Sequence, residues 1–561
     1  MIKMSYVIKA ISVINNQKEP MDIKYSFKII VVFFLFCLVY STAESNKPNI
    51  IFIMADDLGY GDLGSFGQTK IKTPHLDNMA QEGMTFRRFY AGSTVCAPSR
   101  CVLMTGLHTG HSRVRGNSDK ATLFDEDITI SEVLKESGYI TGAFGKWGLG
   151  NEGSQGIPNK QGFDYFYGYL DQVHAHDYYP EFLIKNEGRD SLRNKGTYND
   201  RGKGQCTTCV DYSHDIITQE ALDFIDRNRD TTFFIYIPFA IPHQKFEVPD
   251  IGEYVDKSWS EPQKIMAAMV TRMDRDIGKI FDKLKEYNID RKTIVFFTSD
   301  NGPWSGGTAK IAQAFNSSGP LKGRKTDLYE GGIRVPLIVR WPGVIPPATH
   351  SPYVGWFPDV MPTLAEFGGI ESPAGIDGHS FVPALLGNMD EQPIHEQLYW
   401  EYLKSTKVAV IKDGWKALWI NDKSELYNMS TDSTETTNVK ESNTNVFSDL
   451  ESTKAAEHDD NTVVATWSKK LKPPVVPVGG ISFSKWKLQQ QCKVFTVGQH
   501  LIISVNEAYT LKLLNTKGHV VFSKQGKNSE KYPLNGIPNG MYWVVIKTKT
   551  FEGMKRIAIY I

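Results

Sequence analysis

Cysteine is scarce in this chain, with six in 561 residues, and one of them, Cys37, falls inside an amino-terminal apolar run. So few thiols over such a length exclude a fold held together by a disulfide framework. Net charge is missing too, because 63 basic residues balance 63 acidic ones. That balance gives no support to a nucleic-acid partner or to a polybasic membrane clamp, although a local basic pocket could still meet a polyanion. The apolar run Ile29 to Tyr40 is too short for a membrane span. Lys24 and Lys28 precede it and Ser41, Thr42 and Ala43 follow it. This is the layout of a secretory signal over residues 1–43, removed on export, with Met21 opening a more typical signal than Met1. Phe36 is too bulky for the small-residue pattern ahead of a lipidated cysteine, so Cys37 is expected to leave with the signal.

What is present is length, enough for a large domain and at least one smaller one. From Asn49 to about Pro346, short apolar β-branched runs alternate with amphipathic stretches, which predicts an α/β domain built on a mostly parallel sheet. Four runs stand out: Asn49 to Met54, Tyr139 to Phe144, Phe233 to Phe239 and Thr293 to Phe297. Between the last two, Ile265, Met266, Met269, Val270, Met273, Ile277, Ile280, Phe281 and Leu284 recur at helical spacing and predict a long helix with its methionines in the core. The domain is assigned to residues 47–345. A smaller α+β portion follows over 346–470, then a Pro-rich linker at 471–480. The strand-like runs LIISV, TLKLLN, HVVFS, YWVVIKTK and KRIAIYI predict a terminal β-sandwich over 481–561. Cys206 and Cys209 could be a local disulfide, half a metal site or two plain thiols; only His214 stands near them, which favours the non-metal readings.

Each of the four runs is followed by polar residues: Asp56 and Asp57, Lys146, His243, and Asp300 with Asn301. In an open α/β sheet the carboxyl ends of the strands share one edge, so residues far apart in sequence converge there. Three carboxylates and an amide oxygen suit a hard divalent cation such as calcium or magnesium. Singly, any of these residues would be a helix cap or a solvated loop residue. As a set they predict a site.

The motifs ADDLGYGD (Ala55 to Asp62), CAPSR (Cys96 to Arg100) with LMTG (Leu103 to Gly106), GKWGLG (Gly145 to Gly150), PH (Pro242-His243), SDNG (Ser299 to Gly302) and LKGRKTDLYEGGIRVP (Leu321 to Pro336) carry a resemblance. In that order, over roughly Lys47 to Lys470, the chain resembles the formylglycine sulfatases of the arylsulfatase type, a family with an alkaline-phosphatase-like fold. The resemblance implies that a maturation enzyme oxidises Cys96 to formylglycine, whose hydrated aldehyde attacks sulfur and later collapses to release sulfate. It implies metal ligation by Asp56, Asp57, Asp300, Asn301 and the modified Cys96, with Ca2+ first and Mg2+ as the alternative. Arg100 would steady the formylglycine hydrate, while Lys146, His243 and Lys325 would bind sulfate and assist the leaving oxygen. Counting back from Tyr329 favours Lys325 over Lys322.

The chain departs from the family at Gly148, where the common form has a histidine that helps release sulfate. His176 is the expected substitute base, His174 the fallback, and His108 and His111 stand behind them; a substrate rim is the competing reading for His174 and His176. Glycine at 148 is also expected to open space for a larger sugar. The last eighty or so residues, through TLKLLNTKGHVVF, LNGIPNGMYWVVI and KRIAIYI, resemble the sorting domain of cargo exported by the type IX machinery. Together these features predict a secreted or cell-surface sulfatase acting on an extracellular sulfated polysaccharide or oligosaccharide, such as the algal glycan ulvan. The alternatives are a phosphomonoester or phosphonate hydrolase on the same fold, and a surface glycan-binding protein with little turnover.

Overall fold

The computed structural model describes residues 47–118, 121–304, 309–403 and 405–459, together with strands between 492 and 559. The expected signal (1–43) and linker (471–480) lie outside the described residues. The chain divides into two compact units, residues 1–472 and 473–561.

In the first unit the strands, in chain order, are β1 (Asn49–Ala55), β2 (Met84–Tyr90), β3 (Ile140–Lys146), β4 (Tyr165–Tyr169), β5 (Phe182–Lys185), β6 (Gly188–Ser191), β7 (Lys195–Tyr198), β8 (Gly204–Thr208), β9 (Phe233–Pro238), β10 (Thr293–Ser299), β11 (Arg334–Arg340), β12 (Thr349–Ser351) and β13 (Gly355–Trp356). All but β7 and β8 form one sheet, ordered β12-β2-β11-β10-β1-β9-β3-β4-β5-β6, with β13 beside β2. The four runs singled out from sequence are the adjacent strands β10, β1, β9 and β3, paired in parallel. On one side β11 pairs antiparallel with β10; on the other β4 extends the parallel run beside β3 before β5 and β6 turn antiparallel.

Strand β1 shows why these runs are apolar throughout. Ile51, Ile53 and Ala55 enter one core and Ile50, Phe52 and Met54 the other, so both faces of the sheet are covered. Helices α1 (Pro74–Glu82), α2 (Cys96–Thr105), α3 (Ile130–Glu136), α4 (Ser213–Asn228) and α5 (Glu261–Glu286) do the covering. α5 is the long helix predicted from periodicity; Ser260 caps it, its backbone N–H donating to Gln263 Oε1 at 2.9 Å. Met266, Met269 and Met273 fill the core as expected. Leu103 and Met104 of α2 and Leu134 of α3 pack on the opposite face.

The pattern change placed at 346 does not end the large sheet, because β12 and β13 return beside β2. Residues 341–348, between β11 and β12, form a crossing loop that brings the chain back to this edge. Further on, β14 (Gln397–Tyr402), β15 (Lys407–Lys412), β16 (Trp415–Ile420) and β17 (Lys423–Asn428) form an antiparallel sheet. Trp400, Leu418 and Tyr427 on one of its faces pack with Tyr90, Leu328 and Trp356, while helix α6 (Thr444–Ala456) supplies Phe447 and Leu450 to the other face. This small sheet backs the loop that carries Lys325. Cys206 and Cys209, left open by the sequence, are bridged.

The second unit holds a three-stranded antiparallel sheet (Cys492–Val497, His500–Val505, Glu530–Pro533) and a four-stranded one (Val520–Lys527, Ala508–Asn515, Gly540–Thr548, Glu552–Ile559). The Tyr509 and Tyr532 hydroxyls, one from each sheet, meet at 3.0 Å. No helix among the described residues is long and apolar enough to cross a membrane.

Candidate active site

Parallel pairing of β10, β1, β9 and β3 puts their carboxyl ends on one edge, and the predicted residues meet there. Asp56 and Asp57 leave β1, Lys146 ends β3, His243 follows β9, and Asp300 with Asn301 follows β10. Cys96 is the first residue of α2, at the helix end where unsatisfied N–H groups and the dipole favour negative charge. Asp57 sits in the left-handed backbone region with φ of 64°, a conformation costly for a residue with a side chain and typical of ligand-holding positions.

Three carboxylates and three cations interlock with almost no solvent contact. Lys146 Nζ lies 2.6 Å from Asp56, and the Arg100 guanidinium bridges Asp300 at 2.8 Å and Asp56 at 3.4 Å. Arg100 also donates to the Lys146 carbonyl. Lys325 Nζ is 2.6 Å from Asp57 and 3.3 Å from Cys96 Sγ, while His243 Nε2 reaches Asp57 at 3.4 Å. The Cys96 thiol points at Asp56 Oδ1 from 3.4 Å. Lys325 is held in place by its own N–H on the Pro303 carbonyl, by Thr326 N–H on Thr94, and by the Lys407 ammonium on the Thr326 carbonyl. Lys322 faces Tyr427 instead, so of the two lysines it is Lys325 that reaches the carboxylates.

Burial alone would raise the Asp56 carboxyl, yet Lys146, His243 and Arg100 hold it well below the usual carboxylate range. Burial raises Asp57 despite Lys325, and burial with the Asp56 charge takes Asp300 up to about 6. Burial and the same Asp56 charge push the Cys96 thiol up to about 12. A thiol held protonated is a poor nucleophile, so the unmodified side chain fits the site badly as an attacking group.

The donor set suits a hard cation. Asn301 Nδ2 donates to Asp57 Oδ1 at 2.7 Å, leaving Asn301 Oδ1 buried without a hydrogen-bond partner among the described residues. An acceptor oriented in this way beside three carboxylates is what calcium or magnesium coordination requires.

The histidines divide. The His176 ring stacks on His243 with centroids 4.2 Å apart, but burial and the neighbouring His243 push its protonation down to about 2. Such an imidazole stays neutral and accepts a proton weakly, which weighs against the expectation that His176 serves as the release base. His174 turns away, its ring against Tyr169 and Phe182. His108 and His111 form a separate cluster, stacked at 4.0 Å and tied to Glu457 and Asp377. Gly148 does not open space either: with φ of 76°, a Cβ there would lie 2.0 Å from Gln172 Nε2. Gln172 fills the position, and neither its amide nitrogen nor its oxygen has a hydrogen-bond partner among the described residues. Sequence reasoning also missed Trp304, whose ring lies 5.2 Å from His243 and under Lys325 at 5.0 Å.

A doubly covered α/β sheet with this buried carboxylate and cation cluster at its carboxyl edge defines a hydrolase of the sulfatase class. The Sulfatase family model matches residues 48–370, more than half of the chain, and the chain belongs to that family. It is a sulfuric ester hydrolase. A model for the N-sulphoglucosamine sulphohydrolase carboxy-terminal region matches residues 324–457, and one for the secretion system C-terminal sorting domain matches 497–560. The sorting domain implies type IX export to the cell surface or beyond. The chain is 32% identical to N-acetylgalactosamine-6-sulfatase of Sus scrofa over 418 residues, covering 68% of this chain and 74% of the relative. It is 33% identical to an arylsulfatase of Hemicentrotus pulcherrimus over 402 residues, 66% of this chain and 67% of the relative. Among solved structures, Ps i-CgsB in complex with k-i-k-neocarrahexaose superposes with a TM-score of 0.62 at 28% identity, covering 79% of this chain and 98% of that one. A phosphonate monoester hydrolase of Agrobacterium radiobacter, at 19% identity and a TM-score of 0.53, shares the fold.

Proposed function

We propose that this chain removes sulfate esters from an extracellular sulfated polysaccharide or oligosaccharide, using formylglycine made from Cys96 and a divalent cation held by Asp56, Asp57, Asp300 and Asn301. The observation that carries the reading is the placement of Cys96 Sγ within 3.4 Å of both Asp56 Oδ1 and Lys325 Nζ, at the start of α2. N-acetylgalactosamine-6-sulfatase and the neocarrahexaose complex support a glycan as substrate. Algal polymers such as ulvan belong to the same chemical class. Calcium is the first choice for the cation, with magnesium second; it would supply positive charge to sulfate oxygens and lower the pKa of the attacking hydroxyl. Residues 1–43 would act as the export signal, a maturation enzyme would modify Cys96, and the type IX machinery would read the tail.

The protein's own residues supply the rest. Arg100, fixed by Asp300 and Asp56, orients the position-96 side chain. Lys146 and Lys325 converge from different elements and donate to sulfate oxygens, where negative charge grows in the transition state. His243 stays neutral, because burial and then Lys325 push it well below the ordinary imidazole value. Its Nδ1–H donates to the Gln244 carbonyl, so Nε2 faces the site as an acceptor and must take up a proton before it can give one to the leaving oxygen. Trp304 covers His243 and Lys325 and keeps water from them.

The reading is tested by incubating matured protein with sulfated oligosaccharides, an aryl sulfate and an aryl phosphate. Sulfate release well above phosphate release supports it; preferential phosphate release moves the chain to the phosphomonoester or phosphonate alternative.

His176 belongs to the wall of this site. His176→Ala should raise KM on the natural glycan while leaving kcat within a few-fold. A single burst followed by roughly 10²-fold slower steady turnover would restore the base assignment instead.

A further inference from the structure

Thr326, the residue after Lys325, sits in the left-handed backbone region with φ of 74°. A β-branched side chain is a poor occupant of that region, and such a conformation persists only where its surroundings hold it. Both backbone groups of Thr326 are gripped. Its N–H donates to the Thr94 carbonyl at 3.1 Å, and its carbonyl accepts the Lys407 ammonium at 2.9 Å. The Thr94 hydroxyl in turn donates to the Asp327 carbonyl at 2.7 Å. Thr94 stands two residues before Cys96, so these bonds set the Lys325 loop against the start of α2.

Lys407 brings the small sheet into this clamp. It opens β15, where it pairs with Tyr402 of β14 and Ile420 of β16, and its ammonium lies 6.0 Å from the centre of the Tyr402 ring. The residue is half-buried, and among the described residues no carboxylate pairs with it. Its charge goes to a backbone carbonyl, in a hydrogen bond roughly twice as strong as a neutral one. The other ties between the small sheet and this loop run through side chains: Lys322 to the Tyr427 hydroxyl at 3.0 Å, Tyr329 to Glu425 at 2.7 Å, and Glu330 to Lys416 at 2.8 Å. Lys407 instead holds the backbone next to Lys325.

Turning Thr326 back to negative φ would swing Lys325 against Asp327 and everything after it. Lys325 Nζ lies 2.6 Å from Asp57 and 3.3 Å from Cys96 Sγ, and both distances depend on that one dihedral. We propose that Lys407 is a positioning residue for the reaction: by fixing the Thr326 carbonyl it keeps the strained dihedral that aims Lys325 at position 96. The proposal rests on the sulfatase reading above and gives the small sheet a part in the chemistry, exercised through the backbone.

The test is a double-mutant cycle on the matured full chain, with kcat and KM measured on 4-nitrophenyl sulfate. Lys407→Met keeps the apolar stem and removes the donor. It should lower kcat by roughly tenfold to 10²-fold, the scale of a misplaced catalytic group, and change KM by less than roughly threefold. Glycine adopts positive φ without strain, so in a Thr326→Gly background the same Lys407→Met change should lower kcat by no more than roughly threefold. Lys407→Arg keeps a charged donor and should retain most of the parent kcat. If Lys407→Met does not fold, Lys407→Ala takes its place in the cycle. An unchanged kcat in the single variant overturns the proposal. An equal loss in the threonine and glycine backgrounds, or an equal loss with arginine, overturns it as well. Should the parent release no sulfate, the sulfatase reading fails separately. A crystal structure of the Lys407 variant then decides the positioning: Thr326 at negative φ with Lys325 Nζ off Asp57 upholds it, and Thr326 still at positive φ refutes it.

Discussion

Alanine in place of Cys96 is expected to cost at least about 10⁴-fold in kcat on any sulfate ester, the scale on which removal of a covalent nucleophile acts. The fold should survive. Cys96 is small, sits at the first position of α2, and contributes one thiol contact to Asp56 and one to Lys325. Thermal unfolding of Cys96→Ala should therefore stay within a few degrees of the parent, separating a chemical loss from a structural one. Full activity in the alanine variant would remove the nucleophile from position 96.

The second large effect is expected on the cation. Chelation should abolish turnover, and calcium or magnesium should restore it, because the sulfate charge would otherwise face Asp56, Asp57 and Asp300 without a counter-charge. Asp57→Asn should lose more than the roughly 10–100-fold that changes around a metal's outer shell cost, since Asp57 is assigned as a ligand itself. Asp57→Ala should also destabilise the protein, because Lys325 and His243 both lean on that carboxylate and would be left buried without it. Added cation should raise the unfolding temperature of the parent, as any ligand of the native state does, and should do so less in Asp57→Asn. Undiminished turnover in metal-free protein would count decisively against the site.

Much of this site was legible before the structure because it follows strand ends. Asp56, Lys146, His243 and Asp300 each come soon after, or at the end of, a run that is apolar on both of its faces, and a strand covered on both faces reads that way. Parallel neighbours then force convergence. What the sequence hid lies in loops and turns, where no period tells which way a side chain points. His174 and His176 share one 3-10 turn, and at three residues per turn side chains two positions apart diverge by about 120°. One reaches His243 and the other the rings of Tyr169 and Phe182. Gly148 reads as empty space, but the position faces Gln172, a residue from beyond the next strand. Trp304 stands after SDNG with nothing in its neighbours to mark it as a lid on His243. Strand β2, second from the edge of the sheet, escaped notice because the exposed Arg87 and Arg88 interrupt its apolar pattern.

The account rests most heavily on the chemistry of position 96, and the mass of one peptide examines it directly. Trypsin releases Phe89 to Arg100 from the protein made beside a formylglycine-generating enzyme. The account predicts that this peptide has lost the cysteine sulfur and carries an aldehyde at position 96, in a fraction that rises and falls with specific activity across preparations. Fully active protein whose peptide retains an intact Cys96 thiol would contradict it.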